Sequence, residues 1–185
     1  MVKIYNESIS SDFEGTIIDI ESVGDFDNYP DSRRYRNIIP VIFGFMDKEK
    51  ICILCAKGQA SIPNLRQEIV KILPSLKKPF HAFNSDMERG SLFHQIGVRV
   101  EFENELMFTT QNGKREKKEF LVKNLGIPNY DDPFNDVGRL CKEAWECGNI
   151  DDAIKHNRAC LLKERDLLLR RGFRKPDKMN FVSES

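Results

Sequence analysis

Short apolar blocks, each about the length of one structural element, recur along the chain between clusters of turn-forming residues. Phe13 to Ile20 reads as a first strand, followed by a polar, turn-rich stretch from Gly24 to Arg36 around Tyr29-Pro30-Asp31. Ile38 to Phe45 predicts a second strand, Asp47-Lys48-Glu49-Lys50 a tight charged connection, and the run from Lys50 to Ala56 a third strand. This hairpin spacing makes the three strands antiparallel neighbours. Leu65, Ile69, Ile72, Leu73 and Leu76 then recur at helical spacing after Ser61, which is placed to cap them. Phe80-His81-Ala82-Phe83 predicts a short buried strand. A helix capped by Ser85 or Asp86 follows, with Met87, Leu92 and Ile96 as its apolar stripe and Gly97 as its stop. A fifth strand falls within Val98 to Thr110, centred on Leu106 to Thr109, with Glu101, Glu103 and Glu105 alternating ahead of it and a turn at Asn112-Gly113-Lys114 behind it. Helices are expected from Lys118 to Leu125, from Asp136 to Cys147 and from Asp151 to Arg171. The last has Ile154, Leu161, Leu162, Leu168 and Leu169 facing the core. This order predicts an α/β fold with a mixed five-stranded sheet flanked by helices, in one domain over residues 1–173, and a polar, irregular tail over 174–185.

Composition adds boundaries to this picture. At 185 residues, 40% apolar and 31% charged, the chain is long enough for one full core and leaves little for a second. With 29 basic and 29 acidic side chains, no global field draws it to nucleic acid, so such binding has to come from local basic stretches. No apolar run reaches the length of a membrane span and the start lacks the apolar core of a signal peptide, so a cytoplasmic location is expected. Five cysteines, an odd number, suggest free thiols. Cys52 and Cys55 lie three apart in a strand and face opposite sides, which suits buried packing better than joint metal chelation. Cys141 and Cys147, six apart in a helix, read as packing residues too.

The candidate chemistry starts in the first strand. Asp19 and Glu21 are two residues apart and so share a face, with Ile18 and Ile20 on the other. Two acids side by side in an apolar strand repel unless a cation lies between them; the competing account is a strand that frays into a turn, its acids in water. Glu88 falls in the first turn of the helix after the fourth strand, within reach of this pair if the two strands are neighbours. On its own it also suits the positive end of a helix dipole.

Together these residues resemble the ordered motifs of DnaQ-like 3′-to-5′ exonucleases, the DEDD group, which have a ribonuclease H-like fold. Asp19-Ile20-Glu21 is similar to the first motif, and the segment Phe83 to Leu92, with Glu88 as its acid, to the second. Lys118 to Gly126 looks like the short helix preceding the third motif, and His156-Asn157-Arg158-Ala159-Cys160-Leu161-Leu162 resembles the third motif itself. In that family a Tyr or His precedes a metal-binding Asp by four or five residues. Here Cys160 and Leu161 stand at those places.

The resemblance implies hydrolysis of phosphodiester bonds at single-stranded DNA or RNA ends by two divalent ions, Mg²⁺ or Mn²⁺, about 4 Å apart. It makes Asp19, Glu21 and Glu88 the metal ligands, Cys160 the occupant of the fourth position, and His156 the general base. Asp152 and Glu164, about two turns and one turn from that position on the same helix ladder, are the replacements for the missing acid. Arg33, Arg34, Tyr35 and Arg36, with Phe83 and Asn84 of the second motif and the basic run from Lys114 to Lys118, are the nucleic-acid contacts, Tyr35 or Phe83 stacking on a base. The alternative is a catalytically impaired member serving as a nucleic-acid or protein binding module, since a thiol is a poor ligand for Mg²⁺.

Overall fold

The computed structural model describes residues 1–109 and 114–183. Strands β1 (Val2–Ser8), β2 (Thr16–Val23), β3 (Ile39–Met46), β4 (Lys50–Ala56), β5 (Phe80–Ala82) and β6 (Asn104–Glu105) form a mixed sheet in the order β1-β4-β3-β2-β5-β6. The helices are α1 (Ile62–Ile72), α2 (Ser85–Ile96), α3 (Lys118–Asn124), α4 (Gly138–Glu146) and α5 (Ile150–Arg171). β2, β3 and β4 are antiparallel neighbours, as the hairpin spacing predicts, while β5 joins β2 in parallel and β6 joins β5 in parallel.

The sheet has six strands rather than five, because β1 pairs antiparallel with β4 along its whole length. Alternation conceals this strand: Ile4 is exposed, and the more enclosed positions include Lys3, Tyr5 and Glu7. The expected strand at Leu106 to Thr109 begins two residues early, at Asn104. Leu106 and Met107 continue beside β5 by donating to the carbonyls of Ala82 and Phe83. The turn expected at 112–114 lies largely outside the described residues.

Core side chains come from β2, β3 and β4, each of which buries nearly every residue, and from the helices packed against them. α5 crosses β2, β3 and β4, and α1 lies on β3 and β4. Gly44 lets α5 come close: a Cβ there would stand 2.0 Å from Asn157 Oδ1. Leu169, expected in the core, is half exposed, because the buried face of α5 continues through Leu167 and Leu168. Cys52, Cys55 and Cys141 are buried free thiols, but Cys147 is exposed at the end of α4 and packs nothing.

The tail is not free of the domain. Arg174 exchanges two backbone hydrogen bonds with Glu105, the Ser32 amide donates to Asn180, and Phe181 stacks edge-on against Phe93. Among the described residues no helix is long and apolar enough to cross a membrane.

Candidate functional site

The parallel strands β2 and β5 start side by side, and the short β5 ends at Ala82, alongside the middle of β2, with α2 beginning soon after it. Ligand sites in open α/β sheets form outside such strand ends. A cleft of about 190 Å³ opens there, lined by Asp19, Glu21, Phe83, Asn84, Glu88, Lys118, Asp136, His156 and Cys160. The sequence-predicted carboxylates and the third-motif residues therefore meet in one place.

β2 presents Asp19 and Glu21 on the face that α5 covers. Asn157 Nδ2 donates to Asp19 Oδ2 at 2.7 Å, and His156 Nε2 lies 3.5 Å from Glu21 Oε1. Glu88, on the first turn of α2, is 3% exposed and its Oε2 has no hydrogen-bond partner among the described residues. Burial, then the nearby Asp19 and Glu164, hold its pKa well above the usual carboxyl range. Burial likewise raises Glu21.

Of the two acids considered as replacements for the missing one, the structure brings only Glu164 into the cluster. It is fully buried, with Oε1 2.5 Å from Lys118 Nζ and Oε2 unpartnered. Burial raises its pKa against the opposing pull of Lys118. Asp152 instead pairs with Lys155 and Asn149 at the start of α5, one turn too far toward the surface. Cys160 does face the site: its sulfur is 3.7 Å from His156 Nε2, and it shares with Asp19 and Glu21 a set of ligand atoms within 4.8 Å of one another. Burial pushes its thiol pKa up to about 11.

Three residues take places in the site that the sequence reading did not give them, Lys118 having been expected as a nucleic-acid contact and Cys141 as packing. Lys118, the first residue of α3, points its ammonium between Glu164 and Asp19 Oδ1, the latter at 3.6 Å, and 5.3 Å from the centroid of the Phe83 ring. Cys141 of α4 forms a second compact donor set with Glu21 and His156. Asp132, in the loop before α4, accepts from His156 Nδ1 at 2.7 Å and from Lys163 Nζ at 2.8 Å. No periodic pattern marks any of them; the only sequence signals are the place of Lys118 at the head of the motif-like helix and the acids of the 131–136 loop.

His156 is buried rather than half exposed, and its bond to Asp132 turns Nε2 toward the cleft. Burial opposes charging the ring, while Cys160, Glu21 and Asp132 together raise its pKa to about 11.

The expected nucleic-acid contacts divide. Phe83 and Asn84 line the cleft. Arg33 pairs with Asp31 and Arg36 with Asp27, each at 2.7 Å, and only Arg34 of the run is largely exposed. Tyr35 is not available for stacking, because it is buried against Gly90. A second recess of about 410 Å³, lined by Arg34, Tyr35, Asp86, Arg115 and Lys178 among others, adjoins the cleft through Arg115, which bonds both Asp86 and Asn84.

The donor set fits a divalent cation: four carboxyls converge, and two of their buried oxygens lack partners. Sulfur and imidazole donors on the Glu21 side favour a softer ion than Mg²⁺. No family model matches the chain, and neither does any curated protein or solved structure.

Proposed function

We propose that this chain is a ribonuclease H-like, metal-dependent 3′-to-5′ exonuclease-like protein that hydrolyses phosphodiester bonds at single-stranded DNA or RNA ends. One observation carries the reading: Asp19, Glu21, Glu88 and Glu164 converge from β2, α2 and α5, with Lys118 the only lysine or arginine bonded to them among the described residues and carboxylate oxygens left unpartnered. Buried carboxylates are costly unless paired, and one ammonium does not balance four of them. A bound divalent ion, Mn²⁺ or Mg²⁺, supplies the missing charge and polarises the phosphodiester and its attacking water.

The chain's own residues have separable tasks. Asp19 and Glu21 would hold the ion, Glu88 and Glu164 complete the acidic cluster around it, and Asn157 fixes the Asp19 carboxylate by its 2.7 Å bond. Asp132 fixes the His156 ring through Nδ1 and so turns Nε2 toward the cleft and Glu21. Phe83 offers a ring to a terminal base, and Arg34, Arg115 and Lys178 of the adjoining recess offer cations to the phosphates behind it.

The test is degradation of end-labelled single-stranded DNA and RNA oligonucleotides with Mg²⁺ and then Mn²⁺. Shortening from the 3′ end is expected, faster with Mn²⁺. Asp19→Ala should lose at least the roughly 10–100-fold that removal of even a supporting residue costs. Equal cleavage by both proteins overturns the assignment. The second reading, an inactive fold that binds nucleic acid or protein, is favoured by Lys118 already lying among the acids, and predicts oligonucleotide binding with no cleavage by either protein.

A further inference from the structure

We infer that the site takes a single divalent ion, with the Lys118 ammonium standing permanently in the place of a second cation; the inference rests on the metal-dependent reading above. The cluster divides into two halves that meet at Asp19. In one half, Lys118 Nζ lies 2.5 Å from Glu164 Oε1 and 3.6 Å from Asp19 Oδ1, beside Glu88. In the other half, Asp19, Glu21 and Cys160 bring ligand atoms within 4.8 Å of one another, and so do Glu21, Cys141 and His156. No lysine or arginine is bonded to Glu21, Cys141 or Cys160 among the described residues, so only this second half offers convergent donors without a resident cation.

Paired divalent ions are bridged by a shared carboxylate and stand about 3.5–4 Å apart. Asp19 is the one carboxylate common to both halves, and its Oδ1 faces Lys118. An ion coordinated by Glu164 Oε1 and Asp19 Oδ1 at the usual 2.0–2.2 Å or so would occupy the space the ammonium now holds. The two cations are therefore alternatives. Lys118 is also held in place rather than sampling solvent: its side chain is 17% exposed, it starts α3, and its ammonium lies over the Phe83 ring, 5.3 Å from the centroid. The half left for the ion has nitrogen and sulfur donors beside its two carboxylates, which suits Mn²⁺ or Zn²⁺ better than Mg²⁺.

Mn²⁺ binding to the full chain tests this by titration calorimetry for stoichiometry and by electron paramagnetic resonance, since two ions sharing a carboxylate couple magnetically and a lone ion does not. The wild type should bind one uncoupled Mn²⁺, Lys118→Arg should do the same, and Lys118→Met should bind two coupled ions with a larger Mn²⁺-dependent rise in melting temperature. Two coupled ions in the wild type overturn the inference while leaving the metal-dependent reading intact, and so does a second ion in Lys118→Arg equal to that in Lys118→Met. One ion in a folded Lys118→Met overturns it as well. No ion in any of the three proteins overturns the metal-dependent reading and the inference with it. If Lys118→Met does not fold, the wild-type and Lys118→Arg stoichiometries still decide.

Discussion

Lys163 and Glu164 are neighbours on α5 and both are fully buried, yet they enter polar surroundings of opposite kinds. Lys163 donates to Asp132 Oδ2 and to Asp136 Oδ1, each at 2.8 Å, and Asp132 also accepts from His156 Nδ1. Two carboxylates meet one ammonium and one imidazole there, and further Asp132 bonds from the Phe134 and Asp136 amides leave little unsatisfied. Burial opposes the charge on Asp132, but His156 and Lys163 hold its pKa below the usual carboxylate range. Glu164 enters a group of four carboxyls where, among the described residues, Lys118 is the only bonded lysine and oxygens remain unpartnered. The same helix thus supports a closed network and an open one. A closed network positions groups; an open one keeps room for a cation from outside.

The sharpest way to break this contrast is to open the closed side. Lys163→Met leaves Asp132 and Asp136 buried without their cation, a change that typically costs about 3–5 kcal/mol. It should lower the urea unfolding free energy by that amount, and millimolar Mn²⁺ should not restore it. A loss below about 1 kcal/mol, or full rescue by Mn²⁺, would mean that the two networks are not different in kind.

The next perturbation makes the open side more acidic. Cys160→Asp adds a carboxyl next to Asp19 and Glu21. Without divalent ions it should destabilise the protein by about 1–3 kcal/mol, as disruptive buried substitutions do. A ligand at a hundred times its dissociation constant returns about 2.7 kcal/mol, so Mg²⁺ should recover most of the loss and bind the variant more tightly than the wild type. At roughly 2–4 °C per kcal/mol for a chain of this size, thermal melts with and without millimolar Mg²⁺ resolve the effect. A variant destabilised equally in both conditions places Cys160 outside the ion's reach.

The open network was largely legible in the sequence and the closed one was not. Asp19 and Glu21 are tied by strand alternation, and Glu88 by its place in the first turn of α2, so local spacing sufficed. His156, Cys160 and Glu164 follow from the four-residue ladder of α5. Asp132 and Lys118 reach the site only through the packing of a loop and a short helix, which no local period encodes. The same limit appears in α2. Its stripe of Met87, Leu92 and Ile96 was expected to face inward, but the buried face also takes Ser85, Glu88, Arg89, Gly90 and Ser91, because Tyr35 packs on Gly90 and Arg89 bonds Asp86 and the Asp177 carbonyl. The antiparallel β2, β3 and β4 and the stop at Gly97, which is left-handed at the end of α2, were readable because each depends on neighbours in sequence. β1 was not, since its partner is 50 residues away and its enclosed side is polar.

β1 also supplies the mildest test, at a third pair on α5 that is neither closed nor open but partly wet. Arg158 donates twice to Glu7, through Nε at 2.5 Å and Nη2 at 2.7 Å, and Tyr5 donates to the same carboxylate. The Arg158 bonds hold the Glu7 pKa below the usual carboxyl range, with burial opposing and Tyr5 assisting. Both charged side chains are about a quarter exposed, so solvent screens the pair and its worth falls near the upper end of the surface range, about 0.5–1 kcal/mol. A depressed carboxyl pKa contributes stability that is fully present above the ordinary value near 4.5 and is lost as pH falls through the folded value. Glu7→Gln should therefore cost less than about 1 kcal/mol at pH 7, and the gap between its urea midpoint and that of the wild type should narrow as pH falls below 4.5. A gap as large as that of Lys163→Met, or one that acid does not narrow, would show that this pair belongs with the buried networks and that β1 is anchored by charge more than by its ladder with β4.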